Sequence, residues 1–225
     1  MKDGGREDLV QEPPRVIFLD AVGTLFGVKG SVGEVYSEIA RQFGVDAEPS
    51  ALNQAFFQSF RSATPMAFSG VSLTDVPKLE YKWWEAIACQ TFQQVGVLEE
   101  FTSFPHFFRA LYEHFATAKP WFIYPDVWQA LRYWRDRGIE LGVLSNFDTR
   151  IHTVLPALQL SEFFQSVTIS TEIGAAKPDP RVFKAALDKH NCSAETAWHI
   201  GDSFREDYEG ARAAGLRAIW LKRPS

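Results

Sequence analysis

The sequence predicts an α/β fold, a doubly wound, Rossmann-like parallel sheet with an α-helical insertion after its first strand. Three observations carry this. Beyond about residue 120, short apolar runs alternate with helical stretches of roughly 10–15 residues, the rhythm of a parallel sheet wound with crossover helices. A similar run, RVIFLDAVGTLF from residue 15, stands alone near the start. Between them, residues 28–118 show apolar side chains at helical spacing and no strand-like alternation.

Residues 1–14 form a polar tail ending in Pro13-Pro14. The run that follows is rich in Val, Ile and Phe and is stopped by Asp20 and Gly23, which favours a buried strand over a helix. In the insertion, helices are expected over Ser31–Phe43, Ser50–Ser62, Val76–Val95 and Phe101–Ala116. The pairs Phe56/Phe60 and Trp83/Ile87 and the trio Phe107, Leu111, Phe115 recur on one helical face. Gly44, Pro49, Gly70 and Gly96 punctuate these helices, and Pro65–Thr74 reads as the longest loop. A helix over 126–137 then closes at Gly138 and leads into a strand over 139–145. Further strands are expected over 166–171, 196–202 and 217–222, with helices over 149–158, 180–190 and 204–214. Pro180 at a first helical position, after a capping Asp179, opens the second of these helices. Ser203 and Glu206 read as a capping box for the third, and Gly215 closes it. The expected organisation is a core of 15–27 with 119–225 and a helical insertion of 28–118.

Composition narrows the function classes. The chain of 225 residues is 46% hydrophobic, enough for a core, and carries 23 Lys+Arg against 28 Asp+Glu, a formal charge of −5. Nucleic-acid binding leaves a basic footprint that this balance lacks. No apolar run approaches the ~20 residues of a membrane span. The charged start, MKDGGREDLVQEPP, lacks the apolar stretch of a signal peptide, and a cytoplasmic location is expected. Cys89 and Cys192 show no metal-ligand spacing.

In an open parallel sheet, ligands bind beyond the carboxyl ends of the strands. There the sequence places Asp20, the pair Ser145-Asn146, and Gly201-Asp202, with Lys177 in the loop after another strand. Two carboxylates crowded together repel unless a cation lies between them, and hard divalent ions prefer oxygen ligands. The outline is that of a metal-assisted phosphoryl site.

These residues form four motifs in order: Asp20-Ala21-Val22-Gly23-Thr24, Ser145-Asn146, Lys177-Pro178-Asp179, and Gly201-Asp202 followed by Asp207. On them the chain resembles the haloacid dehalogenase superfamily of hydrolases, in the branch whose helical cap follows the first motif. The resemblance implies a Mg²⁺-dependent phosphatase acting on a small phosphorylated metabolite. It makes Asp20 the nucleophile that forms an aspartyl-phosphate. Asp20, the backbone carbonyl of Val22 and Asp202 become the Mg²⁺ ligands. Ser145 and nearby backbone amides, including that of Asn146, hold phosphoryl oxygens, and Lys177 offsets the charge of Asp20 and the incoming phosphate. Thr24 orients the phosphoryl group or the first loop, and Asp207 supports Lys177 or a metal-bound water. Glu206 is assigned to the capping box and His199 to the core.

One position departs from the pattern. Family phosphatases carry a second Asp two residues after the nucleophile, as general acid and then base; here it is Val22. An isopropyl group moves no proton, and losing a general acid–base typically costs ~10²–10⁴-fold in rate. Several readings follow: hydrolysis that is slow or confined to phosphates whose good leaving groups need little acid assistance, a phosphonatase-like C–P hydrolase using Lys29, Lys78 or Lys82, or a catalytically impaired module that binds a protein partner. A dehalogenase fits less well, because Gly201-Asp202 belongs to the metal-dependent branches. The aromatics Phe56, Phe57, Phe60, Phe68, Trp83, Trp84, Phe104, Phe107 and Phe108 are expected mostly in the helical core, with a few left to face substrate. Arg41 and Arg61 are candidate anion grips.

Overall fold

The computed structural model describes residues 13–223; the expected polar tail lies outside this range up to residue 12. Strand β1 (Val16–Leu19) is buried along its whole length, as the centre of a parallel sheet must be. Its alternate side chains part to two faces. Ile17 and Leu19 join the apolar cluster on one side, and Val16 and Phe18 the cluster on the other.

Strand β2 (Phe26–Val28) leads into four helices: α1 (Val32–Gln42), α2 (Pro49–Ser62), α3 (Val76–Val95) and α4 (Phe104–His114). Ser31 caps α1 by accepting from Glu34 N at 3.1 Å, and Gly96 ends α3 at φ 86°, a left-handed conformation that glycine adopts freely. The four helices share their own cluster, built on Ile39, Leu52, Phe56, Ile87, Phe92, Phe107 and Leu111. Strand β3 (Trp121–Ile123) pairs antiparallel with β2, Val28 facing Trp121, so the two crossings between insertion and sheet run side by side. Neither strand is foreseen from the sequence; each is three residues long, too short to show a period.

The remainder alternates: α5 (Val127–Arg135), β4 (Glu140–Ser145), α6 (Ile151–Ala157), β5 (Ser166–Ile169), α7 (Ser170–Ile173), α8 (Pro180–His190), β6 (Ala197–Gly201), α9 (Gly210–Ala213) and β7 (Arg217–Trp220). The five-stranded sheet is parallel, in the order β5-β4-β1-β6-β7. β1 is thus the central strand, with β4 and β6 beside it, and their carboxyl ends lie together. Two local expectations change. The strand over 166–171 stops at Ile169, and the chain turns at once into α7. The helix over 204–214 begins as a π-helical stretch, Phe204–Glu209, before α9.

Candidate active site

Parallel pairing of β1 with β6 sets Leu19 opposite Ile200, so Asp20 and Asp202 leave adjacent strands at the same edge of the sheet. Ligand oxygens of Asp20, Asp202 and Asp207 lie within 4.8 Å of one another. Gly23, at φ 85°, makes this approach possible: a Cβ there would lie 2.4 Å from Asp202 Oδ2.

Lys177 enters from the loop before α8 and is buried. Its ammonium donates to Asp20 Oδ1 at 2.7 Å, to Asp207 Oδ1 at 2.5 Å and to the Leu144 carbonyl at 3.0 Å. Three N–H donors meet three acceptors, so the cation is fully committed. Burial opposes its charge, but the two carboxylates outweigh burial and hold its pKa above the ordinary lysine value. For Asp20 the balance reverses: burial pushes its pKa up, against the pull of Lys177 and a hydrogen bond from Ser145.

Asp207 is buried at the edge of the cavity and bonds in three directions. Besides Lys177, its Oδ1 lies 2.9 Å from His199 Nε2, and its Oδ2 accepts from Ser203 N at 2.9 Å. Burial raises its pKa, but Lys177 and His199 outweigh burial and depress it. His199 is buried and its pKa is lowered, chiefly by desolvation. A neutral ring donating from Nε2 to the carboxylate leaves Nδ1 bare, and that atom has no partner among the described residues.

The other expected residues take definite places. Asn146 is locked by its side chain, accepting from Lys177 N at 2.7 Å and donating to Lys177 O at 3.0 Å and Glu206 Oε2 at 3.1 Å. Thr24, expected at the phosphoryl group or the first loop, is buried away from the cavity wall, with Oγ1 3.4 Å from Asp202 Oδ1. Ser203 caps its helix by accepting from Glu206 N at 3.2 Å, but the capping box does not close. Asp207, not Glu206, returns to Ser203 N, which frees Glu206 to reach Asn146. Asp179 does cap α8, accepting from Arg181 N at 2.9 Å.

A cavity of about 950 Å³ separates sheet and helices. Asp20, Val22, Ser145, Asn146, Lys177 and Asp202 line its floor, and the helical insertion supplies Phe56, Phe57, Phe60, Trp83 and Trp84. Arg61 lines it, whereas Arg41 does not; Arg41 pairs with Asp46 at 3.6 Å. Lys29, Lys78 and Lys82 are absent from the wall.

One group of residues escapes the sequence analysis. Glu80 of α3 is completely buried, accepts from Thr149 N at 2.9 Å and pairs with the Thr149 hydroxyl. Trp84, one turn on, donates to Asp148 Oδ2 at 2.7 Å, and Arg150 bonds Asp148 and the Tyr112 carbonyl. The insertion is therefore tied to the loop that follows Ser145-Asn146. Burial pushes the Glu80 pKa up. Glu80→Ala strands the Thr149 donors and is expected to cost ~1–3 kcal/mol, read as a lowered midpoint in urea unfolding. An unchanged midpoint contradicts this reading of the contact.

A parallel α/β sheet with Asp20, Ser145, Lys177 and Asp202 gathered at its carboxyl edge defines a hydrolase-type centre. Residues 14–215 match the haloacid dehalogenase-like hydrolase family, and the chain belongs to it. It is 35% identical to haloacid dehalogenase-like hydrolase domain-containing protein 3 of Bos taurus over 213 residues, 93% of this chain and 82% of that protein. It is 37% identical over 128 residues, 56% of this chain and 51% of that protein, to a phosphoserine phosphatase of Thermus thermophilus. The fold is shared with a haloacid dehalogenase-type phosphatase from Thermococcus onnurineus, at TM-score 0.63, 20% identity and 93% and 86% coverage of the two chains.

Proposed function

We propose that the chain is a Mg²⁺-dependent phosphohydrolase that transfers the phosphoryl group of a small phosphate monoester to Asp20. The observation that carries this is the arrangement around Asp20: a buried carboxylate, held by Lys177 and Ser145, on the floor of a cavity beside a second, half-open carboxylate. Residues 28–118 act as the cap that excludes water from this floor.

The donor set fits a hard divalent cation, being all oxygen. Partial burial, then Asp20 and Asp207, push the Asp202 pKa up to about 6. Burial is the larger cause, and the two neighbouring carboxylates add negative crowding of the kind a cation relieves. Asp20, Asp202 and the Val22 carbonyl are the groups that would hold Mg²⁺; Asp207 is already consumed by Lys177, His199 and Ser203 N. When bound, the ion supplies the positive charge that lets a phosphate dianion approach Asp20.

The chain's own residues account for the remainder. Lys177 fixes the Asp20 carboxylate and balances its charge. Ser145 and the backbone amide of Asn146 receive the phosphoryl oxygens, and Thr24 holds Asp202 through its hydroxyl. Asp20 attacks phosphorus, the ester oxygen leaves with its electron pair, and water then cleaves the aspartyl-phosphate. At Val22, 37% exposed on the cavity wall, no proton donor stands. The phosphonatase alternative loses support because its three candidate lysines lie off the wall.

The test is a panel of phosphate monoesters with magnesium titration, together with beryllium fluoride trapping. Turnover is expected only with magnesium, and the trap is expected to occupy Asp20 only with magnesium. No turnover on any ester, with no trapping, refutes the reading and leaves the protein-binding alternative.

A linked pH effect follows. The folded Asp202 pKa of about 6 lies above its ordinary value of 3.8. Between those values the metal-free fold holds a proton that the unfolded chain has lost, so this group's contribution to stability falls as pH rises from about 4 to about 6. Magnesium removes that loss above the window, while protons compete with it below. Magnesium is expected to raise the melting temperature more near pH 7.5 than near pH 5; equal shifts contradict the assignment of Asp202.

A further inference from the structure

Resting on the phosphohydrolase reading, we propose that the substrates are phosphate monoesters of aromatic hydroxyl compounds, with the ring system against the helical insertion and the phosphate at Asp20. Two independent observations point there.

The first is the chemistry of the upper wall. Trp83 donates its indole N–H to the Thr64 carbonyl at 2.9 Å and Trp84 donates to Asp148 at 2.7 Å, so both polar handles are spent inside the protein. What they offer the cavity is ring surface. Trp84 lies stacked with Phe56 (centroids 6.5 Å apart, planes at 3°) and with Phe60 (5.9 Å, 25°). Phe57 and Phe60 keep 43% and 42% of their surface exposed while lining the cavity, an unusual arrangement for phenylalanines that could have packed in the helical core. Of the polar side chains near these rings, two already use an acceptor within the protein, and Arg61 is the charged group beside them. Ser31 Oγ accepts from Glu34 N and Asn53 Oδ1 accepts from Gly33 N. Against the ring faces of Phe57, Phe60, Trp83 and Trp84 a polyhydroxylated leaving group loses hydration without gaining a partner. A planar apolar one gains stacking surface.

The second is Val22. Without a proton donor at this position, the ester oxygen departs as an anion. A phenol-type oxygen, with a pKa of about 10, does so readily; an alkoxide, about as basic as hydroxide (water's pKa is about 15.7), does not. Wall and floor thus select the same class of leaving group for different reasons.

The experiment separates them. Using the full chain with magnesium, kcat/KM is measured for naphthyl phosphate and a hexose phosphate, and inhibition constants for naphthylmethyl phosphonate and a hydroxylated alkyl phosphonate. The phosphonates are not cleaved, so their binding is blind to leaving-group basicity. Naphthyl phosphate is expected to exceed the hexose ester by about 100-fold or more, and the naphthyl phosphonate to bind about tenfold tighter than the hydroxylated one. Phe60→Ala is expected to weaken the naphthyl phosphonate about tenfold, judged against inorganic phosphate as reference. Equal or better use of the hexose ester, or equal phosphonate binding, overturns the proposal and leaves the phosphohydrolase reading standing. Tight naphthyl phosphonate binding without turnover of any ester does the reverse.

Discussion

Asp20→Asn is expected to abolish phosphoryl transfer while the chain stays folded. The amide matches the carboxylate in shape but lacks the nucleophilic oxygen that forms the acyl-phosphate, and loss of a covalent nucleophile typically removes ~10⁴-fold or more of the rate. Stability responds differently, because the site is a buried charge network. Lys177 binds Asp20 and Asp207 together, and Asp20 and Asp202 repel each other. In the Asp20→Asn variant the ammonium keeps Asp207 and the Leu144 carbonyl, and one crowded negative charge is gone. The unfolding free energy is expected to change by no more than about 1 kcal/mol. Lys177→Met is the contrasting case: it leaves Asp20 and Asp207 buried without their cation, and a cost of about 3–5 kcal/mol is expected. Turnover of an aryl phosphate and urea unfolding of both variants check the pair. Asp20→Asn protein retaining more than about 1% of the activity, far above what loss of a nucleophile allows, places the nucleophile elsewhere.

The strand ends that carry this network are legible in the sequence because each lies within a local signal. Val16–Leu19 is apolar throughout and stops at Asp20, and β6 likewise stops before Asp202. That both strands belong beside each other is less local; the four motifs in order supply it. What the sequence hides are contacts made across the fold between residues with no local mark. Glu80 sits among Leu79, Tyr81 and Lys82 and reads as an ordinary helix-surface acid, yet it is sealed against Thr149, 69 positions away. Glu206 has the spacing of a capping box, but the π-helical start of its helix gives that role to Asp207. His199 reads correctly as buried, but its bond to Asp207 depends on how the chain turns after β6. The aromatic residues of the insertion show the same division. Spacing marks Phe56 and Phe60 as one face, and only the packing shows Phe56 buried and Phe60 open to the cavity.

Val22→Asp tests the other half of the mechanism, and its expected effect is a gain. The side chain is 37% exposed and lines the same cavity as Asp20, so a carboxyl group there can keep water contact and need not be forced into the core. The fold's use of this position survives the change, since the local turn is made by main-chain bonds such as Gly23 N to Phe26 O at 2.8 Å. A restored acid protonates the departing oxygen and, as its conjugate base, draws a proton from the attacking water. For alkyl phosphates this is expected to raise kcat/KM by ~10²–10⁴-fold, equivalent to ~3–5 kcal/mol of barrier. For aryl phosphates, whose oxygen departs well unaided, the release step gains little, so the ratio of aryl to alkyl turnover collapses. The added carboxyl also stands beside Asp20 and Asp202, and the gain is therefore expected to require magnesium, whose charge offsets the third negative group. Parallel measurement of both ester classes in wild type and variant, with and without the metal, separates the possibilities. A uniform rise for both classes means the substitution acts on binding or closure. No rise for alkyl esters, in a variant that folds and keeps its aryl activity, means the barrier is set elsewhere than at the missing proton.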